Sequence, residues 1–95
     1  MSKISETSYA SVWDALEQDP IQAANLKLRS ALMIAIAEHV KRKGWTQSIA
    51  ATHCGLTQPR VSDLLRGHIS RFSLDALVNI ATALGLQLSL KIRAA

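Results

Sequence analysis

The sequence has few residues that interrupt regular structure, since its 95 residues include only four glycines and two prolines. Aromatic residues make up 4% of the chain and hydrophobic residues 48%, so the core must be built mainly from aliphatic side chains. This composition excludes a disordered, low-complexity chain. At this length we expect one small domain with modest stability, which oligomerisation would increase.

The sequence also lacks the residues that a disulfide, a membrane span or a metal site would need. The single cysteine, Cys54, cannot form an internal disulfide, which agrees with a reducing cytoplasm. The longest apolar run, residues 31–37, is too short to cross a bilayer, and no signal peptide follows Lys3. The three histidines are too far apart in sequence, and too poorly accompanied by cysteines or acids, to suggest a metal site. We expect a cytoplasmic protein with no membrane partner, no metal and no cofactor.

Catalytic patterns are missing as well. The sequence contains no Ser/His/Asp or Cys/His constellation, no suitably spaced carboxylate pair and no glycine loop that would cradle a phosphate. We therefore do not expect an enzyme.

Charge is distributed unevenly along the chain, whose net charge is +4. Residues 1–40 carry a net charge of −2, whereas residues 41–95 carry eight basic and two acidic residues, a net charge of +6. Such an imbalance attracts a polyanion to one part of the molecule. A solvated basic surface with no partner would give the same count, so charge alone leaves both interpretations open.

Capping residues and apolar spacing predict an all-α chain. A short helix should begin at Ser8, with Val12, Trp13 and Leu16 on one side. Asp19 and Pro20 then open a long helix that runs to about Lys43, where Gly44 ends it. Its apolar residues recur at helical spacing, and they form a stripe wide enough that we expect more than one face of the helix to be covered by neighbours. We divide the chain into an N-terminal segment, residues 1–19, and a domain of residues 20–95.

Three shorter helices should follow, each after a hydroxyl residue that caps it. They are expected at residues 47–53, 58–66 and 74–84, capped by Thr46, Thr57 and Ser73. Only residues 54–57 lie between the first two of these helices, and they include Gly55 and the cap Thr57, so the two helices must cross steeply.

The C-terminal residues 86–93 alternate between apolar and polar, which is the period of a half-buried strand. Because no other segment is a convincing partner, we expect this strand to pair with a second copy of the chain across a two-fold axis. A frayed helical extension, or pairing with residues 3–5, remains open. The predicted dimerisation residues are Leu86, Leu88, Leu90 and Ile92.

Residues 45–67 read WTQSIAATHCGLTQPRVSDLLRG. Ala50 and Ala51 are small enough for a crossing helix to approach closely, and Gly55 suits the turn. The apolar residues of the second helix should be buried, which leaves its polar side chains outward and its first N–H groups free. Such a helix suits the negatively charged groove of DNA.

These residues resemble helix-turn-helix proteins of the Xre/Cro type, in particular the branch that includes HigA-like antitoxins. The resemblance is close from Trp45 to Leu86 and includes the later segment FSLDALVNIATALGL; Ile49 and His53 depart from the family's polar residues. It implies a lambda-repressor-like helix-turn-helix domain with about five helices, here followed by the expected C-terminal strand. It also implies double-stranded operator DNA as the partner.

Residue roles follow as hypotheses. Gln58 matches the family's base-reading glutamine, whose amide can bind adenine, and Arg60 could bind guanine or a phosphate. Ser62 and Asp63 are further base-reading candidates, Asp63 as an acceptor for cytosine. Alternatively, Gln58 only opens the helix and Asp63 only pairs with Arg60 or Arg66. The candidates for phosphate contact are Thr46, Gln47, Thr57, Arg66, Ser70 and Arg71.

Two functions fit this pattern. One is a dimeric repressor on a palindromic operator, associated with the nucleoid. The other, compatible with it, is the antitoxin of a toxin–antitoxin pair; the resemblance implies a cognate toxin of the ribosome-dependent ribonuclease type, for which residues 1–30 are the candidate contact. An N-terminal helix that only completes the core or the dimer fits these residues equally well. A stand-alone Xre-type regulator with no toxin is the alternative.

Overall fold

The structure, a computed structural model, describes residues 19–94. In this range four α-helices follow one another: α1 (Pro20–Lys43), α2 (Gln47–Cys54), α3 (Gln58–Leu65) and α4 (Leu74–Ala83), with a 3-10 turn (Ile69–Arg71) between α3 and α4. The predicted helix that begins at Ser8 lies outside the described residues.

Each helix begins at the predicted capping residue. The Asp19 side chain accepts hydrogen bonds from the backbone N–H groups of Ile21 and Gln22, and the side chains of Thr46, Thr57 and Ser73 do the same for the three shorter helices. Because the first N–H groups of a helix have no intrahelical acceptor, these local bonds fix where each helix starts. The four helix starts were therefore predicted correctly.

The prediction of about five helices and a C-terminal strand is wrong for the described residues. Only four α-helices are present there, and residues 86–94 form neither helix nor strand. The Leu86 N–H donates to the carbonyl of Ala81, which ends α4, and the chain then leaves the core: Leu88, Leu90 and Ile92 are 48%, 75% and 81% exposed. Alternation specifies two faces, but a strand also requires a neighbouring edge for its backbone, and residues 19–94 contain none.

The core forms two adjoining clusters. The larger one joins α1 and α4 with the end of α3, around Ile36, Leu64, Phe72 and Leu77, each of which is at most 1% exposed. The smaller one joins α1 to the helix pair α2–α3 through Val40, Ala50, Ala51 and Val61. Trp45 packs against this second cluster, and Cys54 is buried in the first.

Helix α1 buries only one of its two apolar faces. The buried face consists of Leu26, Met33, Ile36 and Val40. A second series, spaced by three and four residues, is exposed along the helix: Ile21, Ala24, Leu28, Ala31 and Ala35. The sequence pattern predicted that more than one face of this helix would be covered, but covering neighbours exist for only one face within residues 19–94.

Candidate nucleic-acid interface

The angle between α2 and α3 is set by small residues and a glycine turn. Ala50 and Val61 are completely buried where the two helices meet. Gly55 follows α2 with a φ of +68°, a left-handed conformation that other residues adopt only with strain. Side chains larger than alanine's at these positions of α2 would push α3 away. This close contact therefore holds α3 at a fixed angle to α2.

The first half of α3 presents polar side chains to solvent. Gln58 and Pro59 are exposed and Ser62 is half-buried, whereas Val61 and Leu64 on the other side are buried. The Thr57 hydroxyl oxygen accepts a hydrogen bond from the Arg60 N–H at 3.3 Å. The side chains of Gln58 and Ser62 therefore form a polar ridge, exposed at Gln58 and half-buried at Ser62, with the remaining N–H groups of the first turn beside it.

Arg60 is held against the protein. Its guanidinium carbon lies 4.0 Å from the centroid of the Phe72 ring, and its Nη1 donates to the Arg71 carbonyl at 2.9 Å. A cation over an aromatic face is attracted by the ring quadrupole. Some of the donor capacity of Arg60 is thus used within the chain, and its guanidinium position is fixed by the buried Phe72.

Asp63 also has partners within the chain. Its Oδ1 accepts a hydrogen bond from Nη1 of Arg71 at 2.6 Å and lies 3.0 Å from Nδ1 of His68. The His68 hydrogen bond, followed by the positive charge and hydrogen bond of Arg71, holds the pKa of Asp63 below its ordinary value. Pairing with Arg60 or Arg66, the alternative considered from sequence, is not what occurs: the partners are Arg71 and His68.

Sequence reasoning missed the arginine that anchors this segment to α1. Nη1 of Arg29 donates to the carbonyls of Ile69 and Phe72 at 3.1 and 3.4 Å, and its Nε donates to Asn25 Oδ1 at 2.7 Å. A signal was available, because Arg29 falls at helical spacing with the buried Met33 and Ile36, where an ionised side chain requires partners. Arg29 joins α1 to the segment that contacts Arg60 and Asp63.

The predicted phosphate-contacting residues are all exposed: Thr46, Gln47, Thr57, Arg66, Ser70 and Arg71. Thr46 and Thr57 use their hydroxyl oxygens as acceptors for helix N–H groups. Because a hydroxyl also carries a hydrogen, each can cap its helix and still donate to a phosphate. Three basic residues at the end of α1, Lys41, Arg42 and Lys43, are exposed close in sequence to Thr46 and add to this charge.

Two histidines that are distant in sequence meet at Trp45. The ring of His53 stacks on Trp45 with centroids 4.0 Å apart, and the ring of His39 contacts it edge-on at 5.5 Å. This contact joins α1, the following loop and α2, so it stabilises the entry to the helix pair. Among residues 19–94 no group of three or more His, Cys, Asp or Glu side chains could hold a metal ion.

An apolar groove lies between α1, α4 and the C-terminal segment. Its volume is about 570 Å³, and its lining residues are Leu28, Ala31, Leu32, Ala35, Leu74, Val78, Gln87, Leu88, Ser89 and Leu90. None of these residues belongs to α2 or α3. Two of the predicted dimerisation residues, Leu88 and Leu90, therefore line the groove, Leu86 packs against the core, and Ile92 is exposed.

Comparison with known proteins agrees with this geometry. The chain belongs to the helix-turn-helix domain family, whose profile matches residues 16–93. A solved structure assigned by name to the XRE family of transcriptional regulators is similar, with a TM-score of 0.71 and 27% sequence identity over 77% of this chain and 82% of that one. None of the curated proteins matches this sequence. No helix within residues 19–94 is both long and apolar enough to cross a membrane.

Proposed function

We propose that the protein is a sequence-specific DNA-binding transcriptional regulator that inserts α3 into the major groove. The observation that carries this proposal is the polar ridge of Gln58 and Ser62 on a helix whose opposite side is buried. An α-helix fits the major groove, where amide and hydroxyl groups can distinguish base pairs. Membership of the helix-turn-helix family and the similar XRE-family structure support it. Such a protein would work on chromosomal DNA, in the cytoplasm and at the nucleoid.

Different residues would serve base reading and positioning. Gln58 is the strongest base-reading candidate, because its amide is exposed at the tip of α3, and Ser62 follows one turn later. Arg60, held over Phe72, and Asp63, paired with Arg71, would need to exchange these partners to reach a base. The six exposed residues predicted to contact phosphates would bind the DNA backbone. Such contacts fix the register of the protein on DNA without reading its sequence.

Fluorescence anisotropy with DNA from upstream of the protein's own gene tests this function. The expected result is tight binding to that fragment, weaker binding to scrambled DNA of equal length, and a linear fall of log K with log salt concentration. The expected slope is about −0.9 for each phosphate that the protein neutralises. Equal affinity for both fragments would contradict sequence-specific recognition.

A homodimer is the second part of the proposal, with the apolar groove as its contact surface. Exposed apolar surface of this kind marks sites of association, and the exposed series on α1 has the spacing of a helix–helix contact. A palindromic operator would then be bound by two copies of α3 about one DNA turn, roughly 34 Å, apart.

Sedimentation equilibrium of two charge variants tests the dimer. Leu28→Glu places a carboxylate in the groove and should shift the protein to monomer. Ile34→Glu is the matched control, since Ile34 is 59% exposed but does not line the groove, and this variant should remain dimeric. A monomeric wild type, or equal effects of the two variants, would exclude this interface.

An antitoxin role is a second candidate function. The observation that favours it is the apolar start of α1, where Ile21 is 79% exposed and lies within residues 1–30, the segment expected from sequence to contact a toxin. The partner would be a toxin of the ribosome-dependent ribonuclease type encoded beside this chain. Co-purification of the neighbouring gene product, lost in Ile21→Glu, is the expected result. Absence of such a neighbour would leave a stand-alone regulator.

A further inference from the structure

Asp63 presents a puzzle for a helix that binds DNA, because its carboxylate lies on α3 within a basic surface. Its side chain is 19% exposed, whereas that of Arg71 is 59% exposed. Its backbone carbonyl also accepts the His68 N–H at 3.0 Å. Asp63 thus contacts the segment after α3 through two groups. Its backbone carbonyl binds the His68 N–H, and its carboxylate contacts the side chains of His68 and Arg71.

We propose that Asp63 is a positioning residue that reads no base and instead orients the Arg71 guanidinium toward a phosphate beside the major groove of the DNA. This proposal rests on the DNA-binding function proposed above. Of the three side-chain nitrogens of Arg71, only Nη1 contacts the carboxylate. The Nε and Nη2 atoms of Arg71 have no hydrogen-bond partner among the described residues. They are therefore available to a second anion while Nη1 remains in place.

The orientation of Arg71 has a physical benefit. A free arginine loses substantial rotamer freedom when it binds a phosphate, and a fixed guanidinium loses less. The backbone of Arg71 is held as well, because its carbonyl accepts the Nη1 bond of Arg60 and the adjoining Phe72 and Ile69 carbonyls accept bonds from Arg29. Both ends of the Arg71 side chain are thus fixed relative to α3.

Asp63 also carries a negative charge that repels DNA, so a single variant mixes two effects. Asp63→Asn removes the repulsion and weakens the hold on Arg71 at the same time. In an Arg71→Ala background only the repulsion remains to be removed. The difference between the effects of Asp63→Asn in the two backgrounds therefore isolates positioning.

The test is a double-mutant cycle in operator affinity, with salt dependence and a base-preference profile for each variant. We expect Asp63→Asn to be about two- to fivefold more harmful when Arg71 is present than in Arg71→Ala, the range of an exposed ion pair. Arg71→Ala should reduce the salt slope by about 0.9. Asp63→Asn should leave the order of base preferences unchanged. Asp75→Asn, which removes an exposed carboxylate from α4, is the control and should act equally in both backgrounds.

Three results would overturn the proposal. Equal effects of Asp63→Asn in both backgrounds would remove the coupling to Arg71. Tighter binding by Asp63→Asn only when Arg71 is present would mean that Asp63 withholds Arg71 from DNA. An altered preference at one base pair would make Asp63 a base reader. Thermal melts confirm that each variant folds, and Asp63→Ser replaces Asp63→Asn in the cycle should the latter unfold. If the wild type itself shows no specific DNA binding, the proposed function is refuted instead.

Discussion

Two surfaces of this small domain have opposite chemistry and are held in different ways. The polar surface over α3 carries Gln58, Ser62 and Arg71, and side-chain bonds from Arg29, Arg60 and Asp63 fix the segment beside it. The apolar groove between α1 and α4 is lined by aliphatic side chains and by the exposed C-terminal segment. The polar surface is thus held in place by directional bonds, whereas the groove offers apolar area without such bonds.

Removal of the Phe72 ring should affect the polar surface most. Phe72 is 1% exposed, so Phe72→Ala should lower the free energy of unfolding by about 3–5 kcal/mol and release Arg60. Phe72→Leu fills much of the same space, and we expect a smaller loss of stability, with Arg60 still released. Urea denaturation measures both effects. Similar stability of Phe72→Ala and wild type would show that the ring is not part of the core.

Gln58→Ala should separate the two surfaces functionally. If the amide reads a base, operator affinity should fall by about 1–3 kcal/mol, whereas dimerisation and thermal stability should hardly change. Gln22→Ala is the control, because Gln22 is an exposed glutamine on α1 away from α3, and it should bind DNA like the wild type. Parallel DNA affinities for the two variants would remove Gln58 from the base-reading set.

Gly55→Ala tests whether the angle of α3 depends on its turn. No atom lies within 4 Å of an added Cβ, so the penalty should come from the left-handed backbone alone, about 1–2 kcal/mol. DNA affinity should fall further than the loss of stability accounts for, because α3 would tilt. Ser48→Ala, an exposed change in α2, should have little effect on stability or on affinity.

Acid should weaken the polar surface before the groove. The folded pKa of Asp63 lies below its ordinary value of 3.8, so its ionised form stabilises the fold above that pH. This contribution is lost as the pH falls through the folded pKa. Asp63→Asn should therefore lessen the decline of melting temperature with acidification. Identical pH profiles for variant and wild type would show that the network adds nothing to stability.

Local signals explain what the sequence could predict. The capping bonds of Asp19, Thr46 and Thr57 join atoms two or three residues apart, so short patterns were enough to place the helices and the exposed ridge of α3. The small residues at positions 50 and 51 likewise predicted the close approach of α2 and α3, and both alanines are buried. Cys54 is buried in the core, and burial raises the pKa of its thiol.

Contacts between distant residues explain what it could not predict. Arg29 donates to the carbonyls of Ile69 and Phe72, which lie forty or more residues later. Asp63 pairs with Arg71, although Arg60 and Arg66 are nearer to it in sequence. The alternation of residues 86–93 was genuine, yet no strand forms within the described chain, because strand formation depends on a partner edge that a one-dimensional pattern does not contain.

The most direct test of the account is a map of backbone amide NMR shifts on addition of the protein's own upstream DNA at physiological salt. We expect the largest changes on residues 46–47, 57–66 and 70–71, with little change along the apolar groove. Changes concentrated on α1 and α4 around Leu28 and Val78, with α3 unaffected, would contradict it.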